Sequence, residues 1–246
     1  MARRVEIRAL FGMAVLICGL AAAGHAQTIA NGSFESGFSG WTRVDQLGSD
    51  GSFHLHTGAV SPVTGDPVPA PPGGLFAAMS DALGPGSHVL YQDFVVGNVP
   101  YASASLSFDL FIGNRADAFY TPATGSIDFA APAFNQQARV DLMSAGVDPF
   151  SVAGADLLQQ VFQTGAGDPL VSGYTTHSVD IASILNANLG KTLRLRFAEA
   201  DNVFTFQMGV DNVDLDLVPV PEPAFYQLGG LLALGALGLL RLRRRA

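Results

Sequence analysis

Several residues of this 246-residue chain are of types that could do chemistry. Tyr91, Tyr101, Phe119 and Tyr120 offer flat faces for a sugar ring, and Asn114, Arg115 and Asp117 stand close to the Phe119-Tyr120 pair. An aromatic face rimmed by planar hydrogen-bonding groups suits carbohydrate. Arg115, Asp117, Phe119 and Tyr120 are therefore the candidate ligand-binding set. His54-x-His56 puts two imidazoles on one face of a strand, which permits a metal, but no third ligand can be named for the geometry zinc wants. Glycoside hydrolysis needs two carboxylates facing each other across a cleft. The chain has 21 Asp and Glu, so pairs are inevitable and their mere presence has no force. No Gly-x-Ser-x-Gly elbow, His-Glu-x-x-His pair or phosphate-cradling glycine loop occurs. Nothing in the sequence argues for catalysis.

Both ends read as targeting segments around one domain. Residues 1–26 carry Arg3, Arg4 and Arg8, an apolar run from Ala9 to Ala23, then Gly24-His25-Ala26. A basic start, an apolar run shorter than the ~20 residues of a span and a small-x-small end predict a cleaved secretion signal, with Gln27 as first mature residue. The single cysteine, Cys18, lies within that run. The mature chain then has no thiol or disulfide and draws stability from its core or a bound ion. At the other end, residues 220–246 comprise Val220-Pro221-Glu222-Pro223, an uncharged stretch 224–240 and an Arg-rich tail 241–246. The prolines set a helix start near Ala224, and the stretch would be about 26 Å long, at the short limit for crossing a bilayer. Arg241, Arg243, Arg244 and Arg245 should stay cytoplasmic, leaving the domain outside. A permanent tail anchor is the plain alternative.

Residues 27–219 are long enough for one sizeable core. Of 13 Lys and Arg, three precede residue 27 and four follow 240, leaving six; of 21 acids, only Glu6 and Glu222 lie outside, leaving nineteen. A net charge near −13 (six minus nineteen) argues against nucleic acid and leaves carboxylates for a cation. Period-two alternation marks strands at 103–110, 139–142, 192–197 and 213–217. In 192–197, Leu193, Leu195 and Phe197 fall on one face and Thr192, Arg194 and Arg196 on the other. Gly, Pro, Asn and Asp clusters punctuate these runs, and 61–74 is a long surface loop. One helical turn is predicted at 181–188, with Asp180 as its cap. Ala155 to Phe162 reads equally as helix or strand. The fold class is all-β, an antiparallel jelly-roll sandwich.

Three strings carry resemblance to known families. The Pro-Glu-Pro triplet, the short Gly- and Leu-rich span and the terminal arginines resemble the PEP-CTERM sorting signal of exported proteins in Gram-negative, exopolysaccharide-producing bacteria. The resemblance implies processing by an exosortase, a membrane cysteine transpeptidase-like enzyme, with Pro221, Glu222 and Pro223 as the recognition element. Asn31-Gly32-Ser33-Phe34-Glu35-Ser36-Gly37-Phe38-Ser39-Gly40-Trp41 is similar to the opening of galactose-binding-like jelly rolls and many carbohydrate-binding modules. Phe197-x-Glu199 to Asn202, then Gly209-Val210-Asp211-Asn212-Val213, resembles their last two strands. The resemblance implies that opening and closing strands pair and that a structural calcium joins them, with Glu35 and Asp211 as its carboxylates. Carboxylates from segments so far apart would repel without a hard cation or donor groups between them, and a cation there would clip the sandwich without cysteine.

These readings predict an exported cell-surface or matrix protein, an inner-membrane intermediate before processing. Its domain is expected to bind exopolysaccharide without transforming it. A structural adhesion or flocculation protein with no specific ligand is the alternative, and a glycan hydrolase the remote one.

Overall fold

In a computed structural model, the described residues are 29–122, 125–131 and 133–221. The secretion signal, Glu222, Pro223, the apolar stretch and the arginines 241–245 lie outside them. Among the described residues no helix is long and apolar enough to cross a membrane.

Within the described residues ten strands and one helical turn follow in order: β1 (Thr42–Asp45), β2 (Ser52–His56), β3 (Ala77–Asp81), β4 (Gly86–Val95), β5 (Tyr101–Asn114), β6 (Gln136–Ser144), β7 (Leu157–Gln163), β8 (Thr175–Asp180), α1 (Ala182–Asn186), β9 (Thr192–Asp201) and β10 (Phe206–Pro219). They form two five-stranded antiparallel sheets, ordered β1-β4-β9-β6-β7 and β2-β3-β10-β5-β8. The chain crosses repeatedly from one sheet to the other, a course consistent with a jelly roll. The ambiguous stretch before Phe162 is strand β7, paired along β6. The helical turn forms as α1, but its N-cap is Ile181 and not the expected Asp180, which ends β8 and accepts the Ala182 amide at 2.8 Å.

Period two explains the core. On β9, Leu193, Leu195 and Phe197 point between the sheets, opposite Phe94, Gln92 and Leu90 of β4. Phe108 meets Phe197 edge-on at 5.3 Å, and Trp41 and Phe34 extend the aromatic stack. Beyond the exposed Thr192, the polar face of β9 does not meet water. Arg196 is fully buried beneath residues 149–151, donating to the Pro149 and Ser151 carbonyls at 2.6 and 2.7 Å. The 61–75 segment covers the other sheet's outer face in the same way, where Val68 packs with Met79 and Phe111.

The last strand has one irregularity. Between Asp211 and Asp214 β10 gains a residue relative to β5, and Asn212 takes a positive φ of 50°. Before this bulge Phe206, Met208 and Val210 face inward; after it Val213 and Leu215 do. Asp211 and Asn212 therefore project together on the outer face.

Candidate functional site

The opening string folds into a tight loop organised by Asn31. Its side-chain amide donates to the Gly37 and Ser39 carbonyls, its Oδ1 accepts from Ser36, and its own carbonyl accepts Trp41 Nε1 at 3.1 Å. This loop meets the closing strand directly, since the Val213 amide donates to the Gly32 carbonyl at 3.0 Å. A Cβ on Gly32 would lie 1.8 Å from the Val213 carbonyl oxygen, so only glycine allows this approach.

Glu35 and Asp211 are brought to one place, on either side of residues 73–76. Glu35 Oε1 accepts the Leu75 and Phe76 amides at 2.8 and 2.9 Å. Asp211 accepts the Gly73 amide at 3.2 Å and the Asn212 amide at 2.7 Å. Asn212 in turn donates to Asp109 at 2.8 Å. Burial lifts the Asp211 carboxyl to about 6, the backbone donors oppose this, and Asp109 and Glu35 raise it further.

The four residues of the candidate sugar site separate. Phe119 turns inward, buried against Phe206, and lines a groove of about 260 Å³ with Ile112, Phe162, Ser172 and His177. Arg115 reaches back to the 61–75 segment, donating to the Pro67 carbonyl at 2.8 Å and lying 3.7 Å from Asp66. Tyr120 and Asp117 stay together at the surface, the phenol donating to the carboxylate at 3.0 Å. Phe134, absent from the sequence-based set, completes this face: it is 59% exposed and its ring lies 5.3 Å from Tyr120 at 32°. Its only sequence signal is an aromatic in a loop. Tyr91 is covered by the Arg194 guanidinium at 3.8 Å, and Tyr101 is buried with its hydroxyl on the Gly97 amide.

A second polar group, missed in the sequence, lies inside the sandwich. His88 of β4 stands opposite Glu199 of β9, and Asp201 follows two residues on, all three buried on the inner face. One ligand atom from each lies within 4.8 Å of the others. His88 Nδ1 contacts Asp45 at 2.7 Å, and Nε2 lies 3.8 Å from Glu199 Oε1. Asp201 accepts the Gly86 amide at 2.8 Å. Burial holds the Glu199 carboxyl well above its usual range, reinforced by Asp201, and lifts Asp201 to about 7 against the opposing pull of His88. Asp201 also lines a cavity of about 200 Å³ between residues 82–85 and 202–205. The signal was the alternation of Leu193, Leu195 and Phe197, which, extended by two steps, carries Glu199 and Asp201 onto the core face. His54 and His56 lie on β2 with no third ligand close enough to form such a cluster among the described residues.

No protein-family model matches the chain, and no curated protein does so at a significant level. Solved structures similar to it include the carbohydrate-binding module TmCBM61 in complex with β-1,4-galactotriose, at 11% identity and TM-score 0.43, covering 78% of this chain and 98% of that one. The K1 cleaved adhesin domain of Lys-gingipain from Porphyromonas gingivalis W83 is similar at 13% identity and TM-score 0.44, with the same coverages of 78% and 98%. A Stig cyclase from Fischerella sp. TAU is similar at 16% identity and TM-score 0.42, covering 80% and 100%. Likeness at this level carries no inference about ligand or activity.

Proposed function

We propose that this chain is an exported surface protein whose β-sandwich holds polysaccharide without transforming it. The Tyr120–Phe134 pair, Phe134 exposed and Tyr120 half-buried, with Asp117 hydrogen-bonded at its rim, carries the carbohydrate reading. Two tilted rings present apolar area that a pyranose face covers, and the neighbouring carboxylate accepts sugar hydroxyls. The test is retention of the chain on immobilised polysaccharides, a β-galactan and an acidic exopolysaccharide among them. Replacing both rings, Tyr120→Ala with Phe134→Ala, should weaken retention roughly thirtyfold, since two stacking contacts at about 1 kcal/mol each sum to about 2 kcal/mol. Undiminished retention by the double variant would remove this face from the reading; retention by none of the polysaccharides favours a structural adhesion role.

Sorting belongs to the same proposal and rests on the sequence of residues 220–246. Exosortase would act near Pro221, Glu222 and Pro223, with the apolar stretch and arginines holding the chain in the inner membrane until then. Pro221 is exposed directly after β10, where a processing enzyme can reach it.

Calcium at Glu35 and Asp211 also belongs to the proposal. Their donors are hard oxygens, and Asp109 adds a third carboxylate to the field around Asp211. Backbone amides occupy part of both carboxylates, so the ion would use the oxygen capacity that remains. A ligand at one hundred times its Kd adds about 2.7 kcal/mol, and for a chain of this size that corresponds to roughly 5–10 °C in melting temperature. Chelation should remove that increment, and Glu35→Ala should abolish the sensitivity. Identical melting with and without chelator ends the calcium assignment.

A further inference from the structure

The interior cluster at one end of the sandwich brings together three groups that could hold a metal ion. His88 and Glu199 face each other across the β4–β9 ladder, and Asp201 shares their face because strand side chains repeat every second residue. All three are buried, and neither His88 Nε2 nor Glu199 Oε2 has a hydrogen-bond partner. An unsatisfied buried polar atom is costly, and here two of them share one small space. The contact with Asp45 at 2.7 Å places the imidazole proton on Nδ1, which turns the Nε2 lone pair toward Glu199 Oε1 at 3.8 Å. A lone pair facing a carboxylate oxygen is repulsive unless a proton or a metal cation lies between them, and 3.8 Å is too long for a direct hydrogen bond but leaves room for a coordinated ion. An imidazole whose other nitrogen donates to a carboxylate is the arrangement that orients metal-binding histidines.

No basic side chain among the described residues serves the cluster. Arg139 and Arg196 are engaged by Asp141, Arg194 by Asp93 and Arg115 by Asp66. Arg43 donates to the Phe53 carbonyl and Lys191 to Asn188. Gly86 keeps the space in front of Nε2 open, because a Cβ there would lie 2.3 Å from that nitrogen. The adjoining cavity of about 200 Å³ gives Asp201 a route to solvent for ion entry.

We propose that His88 Nε2, Glu199 and Asp201 bind one first-row divalent metal ion of the zinc–manganese class, with Asp45 orienting the imidazole. One nitrogen and two carboxylate donors select this class over calcium, which takes oxygen alone. The site is separate from Glu35 and Asp211, on the opposite face of the other sheet, and stands or falls independently of calcium there.

The test uses the full chain in detergent, stripped with chelator and loaded with Zn²⁺ alone. The expected result is one zinc per chain after gel filtration, measured by elemental analysis. Glu199→Gln, which keeps the shape, should lose at least 100-fold in affinity. Asp45→Asn should lose about 10–100-fold, as for other outer-sphere partners, and Asp216→Asn, at an exposed carboxylate of β10, should lose nothing. Nitrogen-15 spectra of the unmodified chain supply a readout that no folding defect can confuse: zinc should shift His88 Nε2 and leave His54, His56 and His177 in place. Absence of zinc from the unmodified chain, uptake undiminished in a folded Glu199→Gln variant, or a shift at other histidines but not His88 overturns the assignment.

Discussion

His177 sits between two rings, stacked on Phe108 at 5.3 Å and edge-on to Phe162 at 5.0 Å. Burial disfavours its charged form and lowers its pKa, while Asp109 opposes more weakly. The unfolded chain therefore takes up the proton first as pH falls. Stability linked to this residue is present above the ordinary histidine value of about 6.5 and is lost on descending from there toward the lowered folded value. His177→Phe keeps the stacking and removes the proton. Its denaturant midpoint should fall less than that of the unchanged chain between pH 7 and pH 5, and parallel curves would show that the ring carries no linkage. The carboxyls of Asp201 and Asp211 have the opposite sign, because their raised folded values favour the fold on the acid side. The comparison must therefore be made between variants and not read from one absolute curve.

At the scale of elements, the outer face of the β9 sheet separates what alternation shows from what it hides. The inward positions Leu193, Leu195 and Phe197 were legible because a strand repeats every two residues. The same alternation gives no account of Arg194 and Arg196 being covered, since periodicity reports which face a side chain takes and not what lies over it. The covering comes from residues 145–156, a segment with no period of its own. Asp141, fully buried, joins Arg139 at 2.7 Å and Arg196 at 2.5 Å. Asp141→Asn would leave two buried guanidinium groups without a counter-charge and should cost about 3–5 kcal/mol in urea unfolding. Asp93 pairs with Arg194 at 2.7 Å but is 35% exposed, so Asp93→Asn should cost roughly 1 kcal/mol or less. Equal costs would mean that burial does not decide the worth of these pairs. The candidate sites divide along the same line. Glu35 and Asp211 could be paired because their strings resemble the opening and closing strands of galactose-binding-like jelly rolls, a likeness carried by contiguous residues. Tyr120 with Phe134, and His88 with Glu199, join residues from separate segments, and only the three-dimensional register brings them together.

The whole molecule is polar from end to end. Gly86, Gln136 and Asp201 meet at one end of their sheet, and Phe206 pairs with Asn114 at the corresponding end of the other. Tyr120, bridged to Gln136, and the interior histidine cluster lie at this end. β10 finishes at the opposite end, where Pro219 pairs with Tyr101 and the Val220 amide donates to the Pro100 carbonyl at 2.7 Å. The aromatic face and the end of β10 therefore lie at opposite ends of the sandwich. The same geometry sets where the chain can be cut. β10 lies between β3 and β5, and Val213 and Leu215 belong to the core, so removing the strand's second half exposes the interior. A chain ending at Asn212 should show no cooperative thermal transition by circular dichroism. One ending at Pro221 keeps every strand pair of the described residues and the Val220–Pro100 bond, and it should melt within about 2 °C of the full chain. Loss of folding in the Pro221 chain would mean that the tail is part of the fold, and it would count against the proposed processing near the triplet.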